Sequence, residues 1–226
     1  MVKQNTIELF SGTGSFSRVA LENGCTINTY DLADSADELV EGTHNQCCVL
    51  SYNMFDYPDN PYILWASPPC TTFSIASCST HWTPDKQPKT KACIKGMQIL
   101  ERTVELIRFL RPKYYFIENP RGLMRKKIDP LLQKQGLFRD CKRHTITYCQ
   151  YETDIPATSR RMKPTDIWTN HKDWNPRPVC KNGDPCHARA PRGSKTGTQG
   201  LKDNRARSVI PADLFKEIFT MTKECV

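Results

Sequence analysis

The chain has 226 residues, and its 32 Lys and Arg outweigh 24 Asp and Glu for a formal net charge of +8. A hydrophobic fraction of 38 % suffices for one core, and 25 % charged residues with only 11 Gly exclude a low-complexity or collagen-like chain. No apolar run approaches the roughly 20 residues of a membrane helix, and Met1-Val2-Lys3-Gln4-Asn5 lacks the features of a secretory signal. The expectation is one compact, soluble, intracellular domain with a small appendage, its 11 cysteines reduced rather than paired.

In chain order, residues 6–10 read as a short apolar strand, followed by the turn Ser11-Gly12-Thr13-Gly14-Ser15 and a helical pattern through Arg18, Leu21 and Glu22. A second strand over 26–30 ends at Asp31, and a short helix is expected over 34–40, capped by Asp34 or Ser35. Another buried-strand run, 62–66, stops at Ser67-Pro68-Pro69-Cys70. Residues 71–91 are polar and strand-free, which predicts a long functional or mobile loop. Apolar positions from Ile94 to Leu110 recur every three or four residues and define a helix over 92–110. A strand at 113–118, a helix at 121–133, strands at 144–149 and 165–168, and a closing helix at 211–223 follow.

This alternation predicts an α/β fold of parallel βαβ units, with a mostly parallel sheet covered on both faces. Residues 1–169 form the expected catalytic core, and a segment ending at 206 precedes the C-terminal helix region, 207–226. That segment is rich in Gly, Pro, Arg and Lys, has no apolar periodicity, and reads as an irregular appendage.

Charge is unevenly placed. Residues 1–60 hold 2 basic and 9 acidic side chains, whereas residues 61–226 hold 30 and 15. A gradient this steep fits a later half that faces a polyanion, and nucleic acid is the first partner to test.

Three motifs carry chemistry. A strand ending in Phe10, then Gly12 and Gly14, then a helix, lets backbone amides approach a nucleotide-like ligand, with Asp31 placed for ribose hydroxyls. Asp56 could receive an adenine amine, although a surface turn carboxylate is the better reading of it alone. Next, Pro68 and Pro69 stiffen the end of a strand that presents Cys70 beside a basic loop, a setting expected to favour the thiolate. Third, Phe116-Ile117-Glu118-Asn119-Pro120 delivers a carboxyl to the same rim. A thiol nucleophile paired with such a carboxyl is a specific constellation.

Ile7-Glu8-Leu9-Phe10-Ser11-Gly12-Thr13-Gly14, Ser67-Pro68-Pro69-Cys70-Thr71-Thr72-Phe73-Ser74 and Phe116-Ile117-Glu118-Asn119-Pro120 resemble motifs I, IV and VI of the DNA cytosine-5 methyltransferases, in the family's order and spacing. Ser159-Arg160-Arg161-Met162-Lys163 resembles motif VIII, and Arg207-Ser208-Val209-Ile210 resembles motif X. The compact chain looks most like the versions encoded by phages and large DNA viruses.

The resemblance implies a Rossmann-like S-adenosylmethionine-dependent methyltransferase fold with a reduced target-recognition region. Cys70 would attack C6 of cytosine in double-stranded DNA, Glu118 would bond to N3 and the exocyclic amine, and Arg161 would serve the base carbonyl or an adjacent phosphate. Phe10, Gly12, Gly14, Asp31, Asp56, Pro69 and Val209 would hold the cofactor, S-adenosylmethionine. The same chemistry on RNA, a modified donor, or a catalytically silent DNA-binding protein are the alternatives.

Departures from the family pattern are Asp31 for glutamate, Thr71 for glutamine, Pro120 for an aliphatic residue, Lys163 for an arginine and Arg207 for an asparagine. Only about 35 residues occupy the place of a recognition domain, so weak or short sequence specificity is expected. They include Lys172, Arg177, Lys181, Arg189, Arg192, Lys195, Lys202 and Arg205, with Trp174 among them. Cys180, Cys186 and His187 could join Cys149 or His171 around zinc. The spacing Cys-x5-Cys-His is not a standard zinc pattern, however, and plain loop cysteines, with no metal, are the favoured reading.

Overall fold

The structure, a computed structural model, describes residues 3–33, 42–189 and 203–222. The helix expected over 34–40 lies outside the described residues. Seven strands form one sheet: β1 (Asn5–Leu9), β2 (Thr26–Asp31), β3 (Thr43–Gln46), β4 (Ile63–Ala66), β5 (Tyr114–Pro120), β6 (Lys142–Thr147) and β7 (Pro164–Thr169). Their spatial order is β3-β2-β1-β4-β5-β7-β6. The helices are α1 (Ser15–Glu22), α2 (Cys78–His81), α3 (Lys91–Leu110), α4 (Met124–Lys134), α5 (Asn204–Ser208) and α6 (Ala212–Thr222).

Strands β1 to β5 pair in parallel, as the alternation predicts. β7 departs from that rule, running antiparallel to both β5 and β6. The connection from β6 to β7 holds only the 3-10 turns Tyr148–Gln150 and Ala157–Ser159, with no crossover helix of the kind a parallel return uses.

Each central strand divides its side chains between two cores, which is why the strands read as apolar runs. Ile7, Leu9, Leu64, Ala66, Tyr115 and Ile117 pack with Leu100, Val104 and Ile107 of α3 and with Met124 and Ile128 of α4. Ile63, Trp65, Phe116 and Ile167 point the other way, onto Phe16 of α1 and Leu214, Phe215 and Phe219 of α6. There Phe16 stacks on Trp65 and Phe219, while Phe215 meets both Phe16 and Trp65 edge-on. Arg125 ties α4 to the sheet at β7, donating to Asp166 (2.7 and 3.0 Å) while Thr145 of β6 donates to the same carboxylate (2.7 Å).

Two expectations change. The start of the supposed appendage belongs to the core: Trp174 is buried, edge-on to Phe116, and its indole donates to Glu217 of α6 (3.1 Å). Arg177 pairs with the same Glu217 and Lys172 with Asp140, so neither is a bare cation awaiting phosphate. Arg192, Lys195 and Lys202 lie outside the described residues.

Residues 71–91, expected as a bare loop, contain a 3-10 turn, Ile75–Ser77, and α2. Their anchor is aromatic. Phe73 and Trp82 are buried against each other, the Trp82 indole donates to the Thr72 carbonyl (2.6 Å), and Lys127 of α4 lies 4.9 Å from the Trp82 ring centroid. Among the described residues, no helix is long and apolar enough to cross a membrane.

Candidate active site

The turn after β1 is wound by three alternate left-handed positions, with φ of 61° at Phe10, 47° at Gly12 and 63° at Gly14. Glycine adopts that geometry without a Cβ penalty, whereas a phenylalanine there is a strained position of the sort that clusters at ligand sites. A side chain at Gly12 would meet nothing nearer than the Phe10 carbonyl at 3.9 Å, so the turn is open on that side. The Gly12 N–H donates to Asp31 Oδ2 (2.9 Å), which sets the end of β2 beside the turn. The Ser11 hydroxyl is buried without a hydrogen-bond partner. An open bend, a helix N-terminus, a carboxylate and an orphaned hydroxyl suit a polar, nucleoside-bearing cofactor.

Glu8 fixes this turn from beneath and was not singled out from the sequence, although a carboxylate between Ile7 and Leu9 in an apolar strand is a signal. It is buried and accepts from the Phe16 and Ser17 amides (3.3 and 3.0 Å) and from the Ser17 hydroxyl. Burial nevertheless pushes its carboxyl up to about 7. Folded Glu8 therefore keeps a proton that the unfolded chain has released at mildly acidic pH. Its contribution to stability is complete below the unfolded value and lost as pH rises through about 7. Glu8→Gln should remove a decline of roughly 3 kcal/mol between about pH 5 and about pH 8. Denaturant unfolding across that range, wild type against variant, measures the difference.

Val209 follows α5, and together with Thr13, Arg18, Asp203, Arg205 and Ala206 it lines a cavity of about 310 Å³, so the two ends of the chain meet beside the glycine turn. The adjacent Ile210 N–H donates to Ser15 (3.2 Å). Pro69 is exposed at the rim. Asp56 lies on the exposed 3-10 turn Met54–Asp56. The segment that directly follows β3 begins with Cys47, whose amide donates to the Asp31 carbonyl (2.7 Å).

The second half of the site is the rim between β4 and β5. Ala66 pairs with Ile117, which sets Ser67, just past β4, beside Glu118 of the neighbouring parallel strand. The Trp65 indole holds Ser67 (2.9 Å), the Tyr148 hydroxyl donates to Glu118 Oε1 (3.0 Å), and the Asn119 amide donates to the Pro68 carbonyl (2.8 Å). This last bond ties the Pro-Pro-Cys turn to the Glu-Asn-Pro strand. Gly122 lets the next segment close on it: a Cβ there would fall 2.4 Å from the Phe73 carbonyl.

Cys70 and Glu118 are thus close enough for their charges to interact. Burial raises the Glu118 carboxyl above its ordinary value, against the opposing pull of Lys163, Tyr148 and Ser67. The expected thiolate is not favoured at rest. Burial and the Glu118 charge push the Cys70 thiol up, and Lys163 and Arg207 only partly counter them.

The charge of Lys163 acts on both members of this pair. Its ammonium lies 4.7 Å from the Tyr148 ring centroid and donates to the Arg207 carbonyl (3.0 Å). Arg161, expected at the base, instead spends its guanidinium on Glu152 (Nε–Oε1 2.6 Å) and on the Ala206 carbonyl (2.7 Å). The motif pattern alone did not mark Tyr148, Ser67 or Glu152.

Residues 4–135 match the family model of the C-5 cytosine-specific DNA methylases. The chain belongs to this family. It is 28 % identical over 185 residues to a Frog virus 3 (isolate Goorha) protein named "Probable DNA (cytosine-5)-methyltransferase", covering 80 % of this chain and 76 % of that one. Among solved structures it is similar to the Entamoeba histolytica methyltransferase EhMeth (17 % identity, TM-score 0.54, 79 % of this chain and 57 % of that one). It is also similar to the S. pombe Dnmt2 methyltransferase (15 % identity, TM-score 0.51, 76 % and 52 %). The chain spans little more than half the length of these two structures. They establish the fold, which is the Rossmann-like methyltransferase arrangement expected from the motifs.

Proposed function

We propose that this C-5 cytosine methylase transfers a methyl group from S-adenosylmethionine to C5 of cytosine in double-stranded DNA, with Cys70 as nucleophile and Glu118 as the acid at N3. The observation that carries this reading is the pairing of a cysteine with a carboxyl whose hold on a proton burial strengthens, across the ends of two adjacent strands locked by the Asn119–Pro68 hydrogen bond.

A protonated Glu118 donates to N3 and withdraws electrons from C6, where the Cys70 sulfur adds. Addition makes C5 nucleophilic. S-adenosylmethionine, when bound, would supply an electrophilic methyl carbon to C5, its sulfonium–methyl bond breaking to leave the neutral thioether S-adenosylhomocysteine. Loss of the C5 proton to a base then lets the Cys70 sulfur leave C6 and restores the aromatic ring. The Cys70 thiol gives its proton to solvent as the sulfur adds, and Lys163 stabilises the thiolate as it forms. Arg161 positions the segment that carries Lys163, through Glu152 and the Ala206 carbonyl.

Phe10, Gly12, Gly14, Asp31, Asp56, Pro69 and Val209 form the cofactor side, with Asp31 taking the ribose hydroxyls and Asp56 the adenine amine. Because C5 and C6 are stacked within a duplex, the target base must leave the helix to reach Cys70. The segment 71–91, anchored by Phe73 and Trp82, covers it, and its lysines meet phosphate. The short basic stretch after β7 gives weak or short sequence specificity. The protein acts in the compartment that holds its DNA.

Labelled S-adenosylmethionine with duplex DNA, followed by digestion to nucleosides, tests the proposal. Label in 5-methylcytosine from the duplex is expected; label confined to an RNA of the same sequence, or none at all, contradicts it.

The raised Cys70 thiol gives a second check. Alkylation of Cys70 by iodoacetamide should accelerate with pH through an inflection above the usual cysteine range, and Lys163→Met should move that inflection higher still. Peptide mapping at Cys70 across pH measures it.

A further inference from the structure

Four metal-binding side chains converge at a place the transfer chemistry does not use. Cys149 lies on the 3-10 turn after β6, and Cys180, Cys186 and His187 lie on the loop after β7. Their ligand atoms all fall within 4.8 Å of one another. The Cys149 sulfur is 3.0 Å from that of Cys180 and 3.8 Å from that of Cys186, and His187 Nδ1 is 3.6 and 3.3 Å from the Cys180 and Cys186 sulfurs.

These separations can be compared with a tetrahedron. Zinc–sulfur bonds of about 2.3 Å and zinc–nitrogen bonds of about 2.0 Å set the sulfur–sulfur edge near ~3.8 Å and the sulfur–nitrogen edge near ~3.5 Å. Three of the four separations lie within a few tenths of an ångström of those edges, and the fourth is well outside the ~2.05 Å of a disulfide. Cys149 and His187 are buried, so two of the ligands are sheltered from water.

The surroundings are built as well. The Gln150 side-chain amide donates to the Cys186 sulfur (3.3 Å), and the Cys180 N–H donates to Thr147 (3.2 Å), fixing the loop against the end of β6. Arg177 reinforces the same junction, donating to the Gln150 carbonyl (2.6 Å) while its amide donates to the Tyr151 hydroxyl (2.9 Å).

We infer that Cys149, Cys180, Cys186 and His187 form a structural zinc site. Four protein ligands close the tetrahedron and leave no position for water or substrate, so the ion staples rather than catalyses. It joins the loop after β7 to the turn that begins with Tyr148, the residue bonded to Glu118. The sequence favoured plain loop cysteines. The convergence of Cys149 with the Cys-x5-Cys-His loop corrects that reading, because the first ligand comes from a separate element and no linear spacing announces it.

The test uses the full chain, purified under reducing conditions without a metal-affinity column. Plasma mass spectrometry should find one zinc per chain, and replacement by cobalt(II) should give the visible bands of a tetrahedral thiolate site. Cys180→Ser and Cys186→Ser should lose the metal, while Cys48→Ser, outside the cluster, should keep it. Gln150→Ala should weaken zinc binding by about tenfold or more. A reduced wild-type chain that takes up neither zinc nor cobalt overturns the inference. So does a Cys180→Ser chain that retains a full complement of zinc, or a native Cys149–Cys180 disulfide. The wild-type metal content and cobalt spectrum decide the matter even if a variant fails to fold.

Discussion

Cys70→Ser is expected to cost methyl transfer on the order of a thousandfold or more and to leave the fold and the affinities for cofactor and duplex in place. The site explains both halves of that result. Cys70 stands partly exposed at the end of a proline-stiffened turn, so exchanging sulfur for oxygen removes little packing. The turn itself is held by Asn119 on Pro68, not by the thiol. A serine hydroxyl in the same setting stays protonated, because the burial that already raises the thiol acts on a group with a far higher starting value. Single-turnover transfer beside thermal melting and duplex binding separates chemistry from structure. Transfer within a few fold of wild type would remove Cys70 from the mechanism.

Glu118→Gln ranks second. An amide fits the same space and its oxygen still accepts from Tyr148, so the rim should remain assembled. It cannot give N3 a proton, and the expected loss is about 10²–10⁴-fold, the range for a positioned acid. The pH dependence carries the sign. Burial raises the Glu118 carboxyl, so the wild type has the acidic form at low pH and loses it as pH climbs through the raised value. That alkaline decline should disappear in the residual activity of Glu118→Gln. A variant that keeps the wild-type profile would assign the decline to another group.

Much of this architecture is legible in the chain because the central strands are buried on both faces. Ile63 to Ala66 is an apolar run for that reason, and the helix over α3 declares itself by its period. The placement of Cys70, Glu118 and the glycine turn follows from their positions at the carboxyl ends of parallel strands. Side-chain partnerships are harder to read. Arg161 carries the right charge in the right motif, but Glu152, a neighbour across a turn, claims it, and Lys163 is left facing the reactive pair.

Composition also misleads locally. A polar stretch hides two anchors, Phe73 and Trp82, and a segment rich in Pro, Gly and Arg hides Trp174, one large indole that turns a presumed appendage into part of the core. The expected thiolate fails for a related reason. Basic residues near Cys70 in sequence say nothing about the desolvation that the folded rim imposes.

The central claim is that the sulfur of Cys70 bonds to C6 of a cytosine held against Glu118. Duplex DNA carrying 5-fluorocytosine tests it most directly, since fluorine at C5 cannot be removed as a proton and the adduct cannot collapse. After incubation with S-adenosylmethionine, denaturation and peptide mass spectrometry, the account predicts a stable protein–DNA adduct on the peptide that contains Cys70, absent in Cys70→Ser. An adduct on any other residue would contradict it, as would no adduct under conditions where the unfluorinated duplex is methylated.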